Sequence, residues 1–167
     1  MPFLPSESNG NVNKLYSLVL ETVDSIKLAR KLNGAIERSL KAAGIQTERS
    51  DADPDYEDDT KLKVFVQVNT SGEASKSGVA PVSSSSDRSD GSVLLDLCRE
   101  IEDECPHLHL QGLMTIGAPG DASAFDVLVQ CRNIVQEELS LSDGRVLELS
   151  MGMSGGKFVA EKAEKSL

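Results

Sequence analysis

The chain has no tryptophan, and aromatic residues make up only 4% of its 167 residues. Any core must therefore be built from aliphatic side chains. Cysteine is scarce: Cys98, Cys105 and Cys131 are odd in number and show no C-x-x-C spacing. That pattern argues against a disulfide frame or a zinc site and fits buried thiols in a reducing cytosol. No apolar run approaches the roughly 18 residues of a membrane span. No basic segment followed by an apolar stretch opens the chain, so neither a membrane anchor nor a secretory leader is expected. Bases are few, 17 against 27 acids, for a net charge of −10. Phosphate neutralisation supplies most nucleic-acid affinity, so no nucleic-acid partner is expected. Nothing like G-x-G-x-x-G follows any apolar run, which removes the usual dinucleotide signal of a doubly wound sheet.

What is present is 39% hydrophobic and 26% charged, ordinary values for one globular domain. Residues 1–13 are polar and broken by Pro and Gly, and read as a flexible leader. Lys14 to Glu21 is an apolar run of strand length. A helix is expected next, capped by Thr22 or Asp24, because Val23, Ile26, Ala29, Leu32, Ile36 and Leu40 recur at three- and four-residue steps. Gly44 supplies its stop. Residues 46–60 are acidic and nearly free of aliphatics, a solvated insertion. A calcium loop would need a Gly and a terminal Glu at offsets this stretch lacks.

Leu62 to Val68 is the clearest strand, and its near-continuous apolar character suits a parallel strand covered on both faces. Residues 80–91 are Ser-rich and low in complexity, a second mobile insertion. Val93, Leu94, Leu97, Cys98 and Ile101 mark a helix ended by Pro106. Leu108 to Ile116 is a third strand, Phe125 to Leu139 a third helix, and Val146 to Met151 a fourth strand.

Strands alternating with helices argue for an α/β fold of parallel βα units with right-handed crossovers. Without the two insertions, the strand starts are spaced by roughly 35 residues, near the ~250 residues over eight units of a TIM barrel. The expected fold is thus a partial (β/α)8 barrel over residues 14–154, with its helices on the outer face.

Ligands of parallel α/β folds sit at the carboxyl ends of strands. Three segments qualify: Asn69 to Gly78, Thr115-Ile116-Gly117, and Ser150 to Gly156. The last offers two hydroxyls, free backbone N–H groups and three glycines, a setting that can satisfy phosphate oxygens. A plain Gly-rich turn is the competing reading. Met114 and Met153 read equally as core residues, and Asn69 as a residue that orders its own loop. Lys76 stands beside Glu73, which favours its charged form, so it reads as a loop clamp rather than a nucleophile. His107 and His109 lie at a strand's amino end without ligand-spaced partners, so no metal site is expected. No catalytic triad can be assembled.

Four segments, ETVDSIKLARKLN, VFVQVNTSGEASKSGV, CPHLHLQGLMTIG and ELSMGMS, follow in one order. Together they resemble the pyridoxal phosphate homeostasis protein family, of the alanine racemase N-terminal-domain type. The resemblance covers residues 14–154 and implies strands four to seven of a barrel that binds pyridoxal 5′-phosphate at its carboxyl face. It implies cofactor contacts at Ser154, the family's phosphate-binding serine, with Gly152 and Met153 shaping that turn. It further implies Met114 near the ring and Asn69 under the site. The family's V-A-V-S-K string, whose lysine holds the cofactor covalently, does not occur here. Nor does V-R-I-G-[ST]-x-I-F-G; residues 155–167 read as a divergent tail. The implied role is a cytoplasmic, or mitochondrial, cofactor carrier rather than a turnover enzyme, a truncated member with binding impaired. Two alternatives stand beside it: a racemase-like enzyme and a non-binding fragment. The family implies a monomer, yet half a barrel would expose two sheet edges open to self-association.

Overall fold

The computed structural model describes residues 18–44, 61–82, 92–117, 123–141 and 144–151. The expected leader, the 46–60 insertion, the tail, and Gly152, Met153 and Ser154 lie outside the described residues.

Four strands, β1 (Val19–Val23), β2 (Leu62–Gln67), β3 (Leu108–Thr115) and β4 (Glu148–Met151), form one sheet in chain order. All three pairings are parallel. Between them lie α1 (Ile26–Ala42), α2 (Val93–Arg99) continued by a π-helical turn (Glu100–Glu104), and α3 (Ser123–Leu139). This is the expected α/β architecture, a parallel sheet consistent with part of a (β/α)8 barrel. Among the described residues, no helix is long and apolar enough to cross a membrane.

Alternation along the strands separates two faces. Leu62, Val64, Val66 and Val68 join one apolar cluster with Leu108, Leu110 and Leu113. Ile36 and Leu40 of α1, Leu94 and Leu97 of α2, and Leu128 and Val135 of α3 complete that cluster, so the helices cover this face. The other face carries Lys63, Phe65 and Gln67. Phe65 and Met114 are buried yet stand outside the main cluster. Ser150 Oγ donates to Glu21 Oε2 at 3.2 Å, joining β4 to β1. The two outermost strands can touch through side chains only if the sheet curls, so the helix-free face is concave.

Local chemistry adjusts several boundaries. Ser25, not Thr22 or Asp24, caps α1: its hydroxyl accepts from the Leu28 N–H at 3.4 Å. Thr22 and Val23 are still strand, and Asp24 is the connector. Gly44 takes φ 71° just past α1, the left-handed stop its position suggested. Ser92 caps α2 in the same way as Ser25, through the Leu95 N–H. That places Val93 at the helix's outer side, 56% exposed, while Leu95 takes the buried position. Cys105 leaves helical geometry (φ −116°, ψ 73°), as the residue before Pro106 must. Val146 precedes β4 rather than joining it. Val82 is buried and accepts a hydrogen bond from Cys131 Sγ. Packed chain therefore reaches into the 80–91 stretch; residues 83–91 lie outside the described part.

Bridges between helices fix the layer. Arg30 of α1 holds Glu100 bidentately, Nε to Oε1 at 2.6 Å and Nη2 to Oε2 at 2.9 Å. Arg99 of α2 reaches Glu138 of α3 at 3.4 Å.

Candidate functional site

Because all four strands are parallel, their carboxyl ends open on one rim. A cleft of about 470 Å³ lies there. β1 and its connector supply Thr22 and Asp24, the end of β2 supplies Gln67, Val68 and Asn69, and Ile116 follows β3. Leu28 of α1 and Lys76 and Ser77 of the loop after β2 complete the wall. Such a volume lies within the usual range for small-ligand sites.

The loop 69–79 folds back on β2. Val79 lies in a parallel bridge with Val68, its N–H reaching Gln67 O at 2.9 Å, and Asn69 N–H reaches Val79 O at 2.8 Å. Gln67 Nε2 donates to Ser77 O at 3.0 Å. Asn69 Nδ2 donates to Glu73 O at 2.9 Å and to Lys76 O at 3.4 Å, while its Oδ1 accepts from Ser71 Oγ. Asn69 thus orders the loop and also lines the cleft. Gly78 closes the loop at φ 120°, where a Cβ would stand 2.8 Å from the Asn69 nitrogen.

Lys76 Nζ lies 2.8 Å from Glu73 Oε1. The ammonium holds the Glu73 carboxyl below the usual carboxylate range, chiefly by its hydrogen bond. The clamp expected from the sequence is present, and the lysine is committed to it. Lys63 lies on the concave face but pairs in register with Val19 and His109, toward the amino end of the strands.

Met114 is 4% exposed on the concave face, in register with Gln67 and Ser150. Its carbonyl accepts the Val68 N–H at 2.8 Å. Asn69 lines the cleft, and Met114 does not. β4 ends at Met151 on this same carboxyl rim.

Chemistry elsewhere is at the wrong place or in the wrong state. His109 meets Arg145 Nη1 at 3.0 Å toward the amino end of β3. Cys98, Cys105 and Cys131 are buried, and burial pushes each thiol up, away from the nucleophilic thiolate. Among the described residues, no group of three or more His, Cys, Asp or Glu is placed to hold a metal ion.

Sequence reasoning missed Thr22, Asp24, Leu28 and Gln67 as cleft residues, whereas Ser77 falls within the expected Asn69 to Gly78 segment. Asp24 was assigned to a helix cap, although its place directly after a strand was itself the signal. It also missed Gly112. β3 bulges at Gln111, since Val64 pairs with Leu110 but Phe65 with Gly112. There a Cβ on residue 112 would stand 2.0 Å from the Glu148 carbonyl oxygen. The glycine of L-x-G-L-M is thus a packing requirement of β4.

No family model matches the chain. Curated relatives do. The chain is 39% identical over 154 residues to a pyridoxal phosphate homeostasis protein of Bos taurus, covering 86% of this chain and 46% of that one. It is 35% identical over 158 residues to one of Schizosaccharomyces pombe, covering 91% and 52%. To one of Helicobacter pylori it is 31% identical over 152 residues, covering 89% and 54%. The chain thus spans about half the length of the curated relatives it matches.

Proposed function

The chain belongs to the pyridoxal phosphate homeostasis protein family, and from that premise we propose that it binds pyridoxal 5′-phosphate non-covalently at the carboxyl rim of its sheet. The role is cofactor handling in vitamin B6 homeostasis, in the cytoplasm or the mitochondrion, rather than turnover of a substrate. The observation that carries this is the convergence on one rim. Asn69 lines the cleft there, Met114 lies near the carboxyl end of the neighbouring strand, and β4 reaches the same rim at Met151.

The residues present suit an anchor better than a covalent trap. Ser154 and the N–H groups around Gly152 and Met153 would hold the phosphate, Met114 would lie against the ring, and Asn69 would keep the loop beneath it. When bound, the cofactor supplies an aldehyde for transfer to an apo-enzyme. Covalent capture needs a neutral amine within bonding distance of that aldehyde. Lys76 is tied to Glu73 at 2.8 Å, and the family's lysine string is absent from these residues. A net charge of −10 opposes an anionic ligand, so affinity should be weak. β1 and β4 each keep one edge without a neighbouring strand among the described residues, and self-association through these edges accompanies this reading.

The test is titration of the purified chain with the cofactor, followed by borohydride reduction and peptide mass mapping. Weak saturable binding is expected, loosened about tenfold in Ser154→Ala by loss of one charge-assisted hydrogen bond. Only scattered lysine labelling should follow reduction. Absence of binding at any concentration would make the chain a non-binding fragment. Stoichiometric labelling of one lysine, Lys76 or Lys157 for instance, would overturn the non-covalent reading.

A further inference from the structure

A closed ring of hydrogen bonds ties off the carboxyl end of β2. Thr115, the last residue of β3, is 1% exposed and is not part of the cleft wall. Its hydroxyl donates to Val68 O at 2.8 Å. A hydroxyl has one proton, so the 2.8 Å contact between Thr70 Oγ1 and Thr115 Oγ1 runs from Thr70 to Thr115. The Thr70 N–H reaches the same Val68 carbonyl at 3.1 Å. Thr70 is therefore gripped by backbone and side chain together. The chain leaves the sheet in a three-residue turn at Asn69 instead of running on as strand.

That turn decides where the loop goes. Asn69, Lys76 and Ser77 of the returning loop form one wall of the cleft. Among the described residues, the loop's other hydrogen bonds run to itself, to Gln67 or to Val68. Thr115 brings in a second strand, 45 residues away from Thr70 in the chain. It also does so with a buried hydroxyl on the strand that gives Leu108, Leu110 and Leu113 to the core.

We propose that Thr115 is a positioning residue: through Val68 and Thr70 it holds the 69–79 loop in the shape that makes the cleft wall, and so sets cofactor affinity without touching the cofactor. The ligand half of this rests on the cofactor reading above; the loop half does not. Thr115→Val keeps the shape of the side chain and deletes the hydroxyl. The Thr70 hydroxyl then loses its acceptor and the Val68 carbonyl loses a donor.

The experiment compares the unaltered chain with Thr115→Val, Thr115→Ser and Thr70→Val. It reads amide exchange over residues 69–79 and pyridoxal phosphate affinity by absorbance titration. In Thr115→Val, loop exchange should quicken about tenfold while β2 and β3 keep their protection, and affinity should fall about tenfold. Thr115→Ser, which restores the hydroxyl, should recover most of both. Thr70→Val removes the Thr70–Thr115 contact from a half-buried position and leaves the Thr115–Val68 bond, so it should quicken loop exchange and weaken affinity in the same direction but by less, even if Thr115→Val fails to fold. Unchanged loop exchange in both valine variants overturns the proposal. So does equal loss in Thr115→Ser and Thr115→Val, which would assign the effect to methyl packing. Faster exchange with unchanged affinity overturns the ligand half alone. If the unaltered chain binds no cofactor, the cofactor reading fails, and loop exchange by itself still decides whether Thr115 is the lock.

Discussion

Gly112→Ala should be the most damaging single-methyl change in the described structure. The added Cβ would stand 2.0 Å from the Glu148 carbonyl oxygen, 2.7 Å from its carbon and 2.9 Å from its nitrogen. Non-bonded carbons rest at about 3.5–4.0 Å, so the deficit exceeds about 1 Å. All three atoms are backbone of β4, and no rotamer change can move them aside. β3 and β4 must separate, and their pairing spans only Gly112 to Thr115 against Glu148 to Met151. Overpacking of this kind costs about 1–3 kcal/mol. Loss of two ladder hydrogen bonds adds about 1 kcal/mol each. The sum, about 3–5 kcal/mol, is a large part of the roughly 5–15 kcal/mol that holds an ordinary domain together. Urea unfolding followed by circular dichroism reads this directly. At a slope of about 2 kcal/mol per molar, the midpoint should fall by about 2 M. Gly34→Ala is the internal contrast. Gly34 lies inside α1, and its added Cβ would meet only Arg38 Nη1 at 3.4 Å, the far end of a flexible side chain. It should stabilise by about 0.5–1 kcal/mol through helix propensity. A Gly112→Ala midpoint within about 0.3 M of the unaltered chain would refute the close-approach argument.

Two further outcomes follow from the same geometry. The Glu100 carboxyl is held below its ordinary range by the Arg30 hydrogen bonds, and its side chain is only 11% exposed. A depressed folded pKa contributes stability above the unfolded carboxylate value near 4.3, lost as pH falls through the folded pKa. Glu100→Gln should therefore be less stable than the unaltered chain at neutral pH and converge with it in acid; a constant difference across a pH series of denaturant titrations would count against the ion pair. Sedimentation equilibrium should give a mass above the 17.9 kDa of one chain, falling toward it when Leu18 and Val19, 55% and 46% exposed beside the edge of β1 that has no neighbouring strand among the described residues, are both changed to Lys.

The alternation of strand and helix was legible in the sequence because it is a local property. Period-two and period-three-to-four patterns of apolar residues need no partner to be read, and parallel order follows from their alternation. The motif strings that carry the family resemblance are local in the same sense, and so is the Glu73–Lys76 clamp, three residues apart. Tertiary structure decided the rest. The cap of α1 fell to Ser25 instead of Thr22 or Asp24, because pairing with β2 carries β1 through Val23. Asp24 became a cleft residue only because the strands' carboxyl ends share a rim. Val93 and Leu95 exchanged burial because α2 turns its face according to what packs on it. The need for glycine at 112 arises from a backbone 36 residues further on, and the Thr70–Thr115 contact joins residues 45 apart. Neither leaves a periodic trace, because close approach and hydrogen bonding between strands depend on register, and register is fixed only when the sheet assembles.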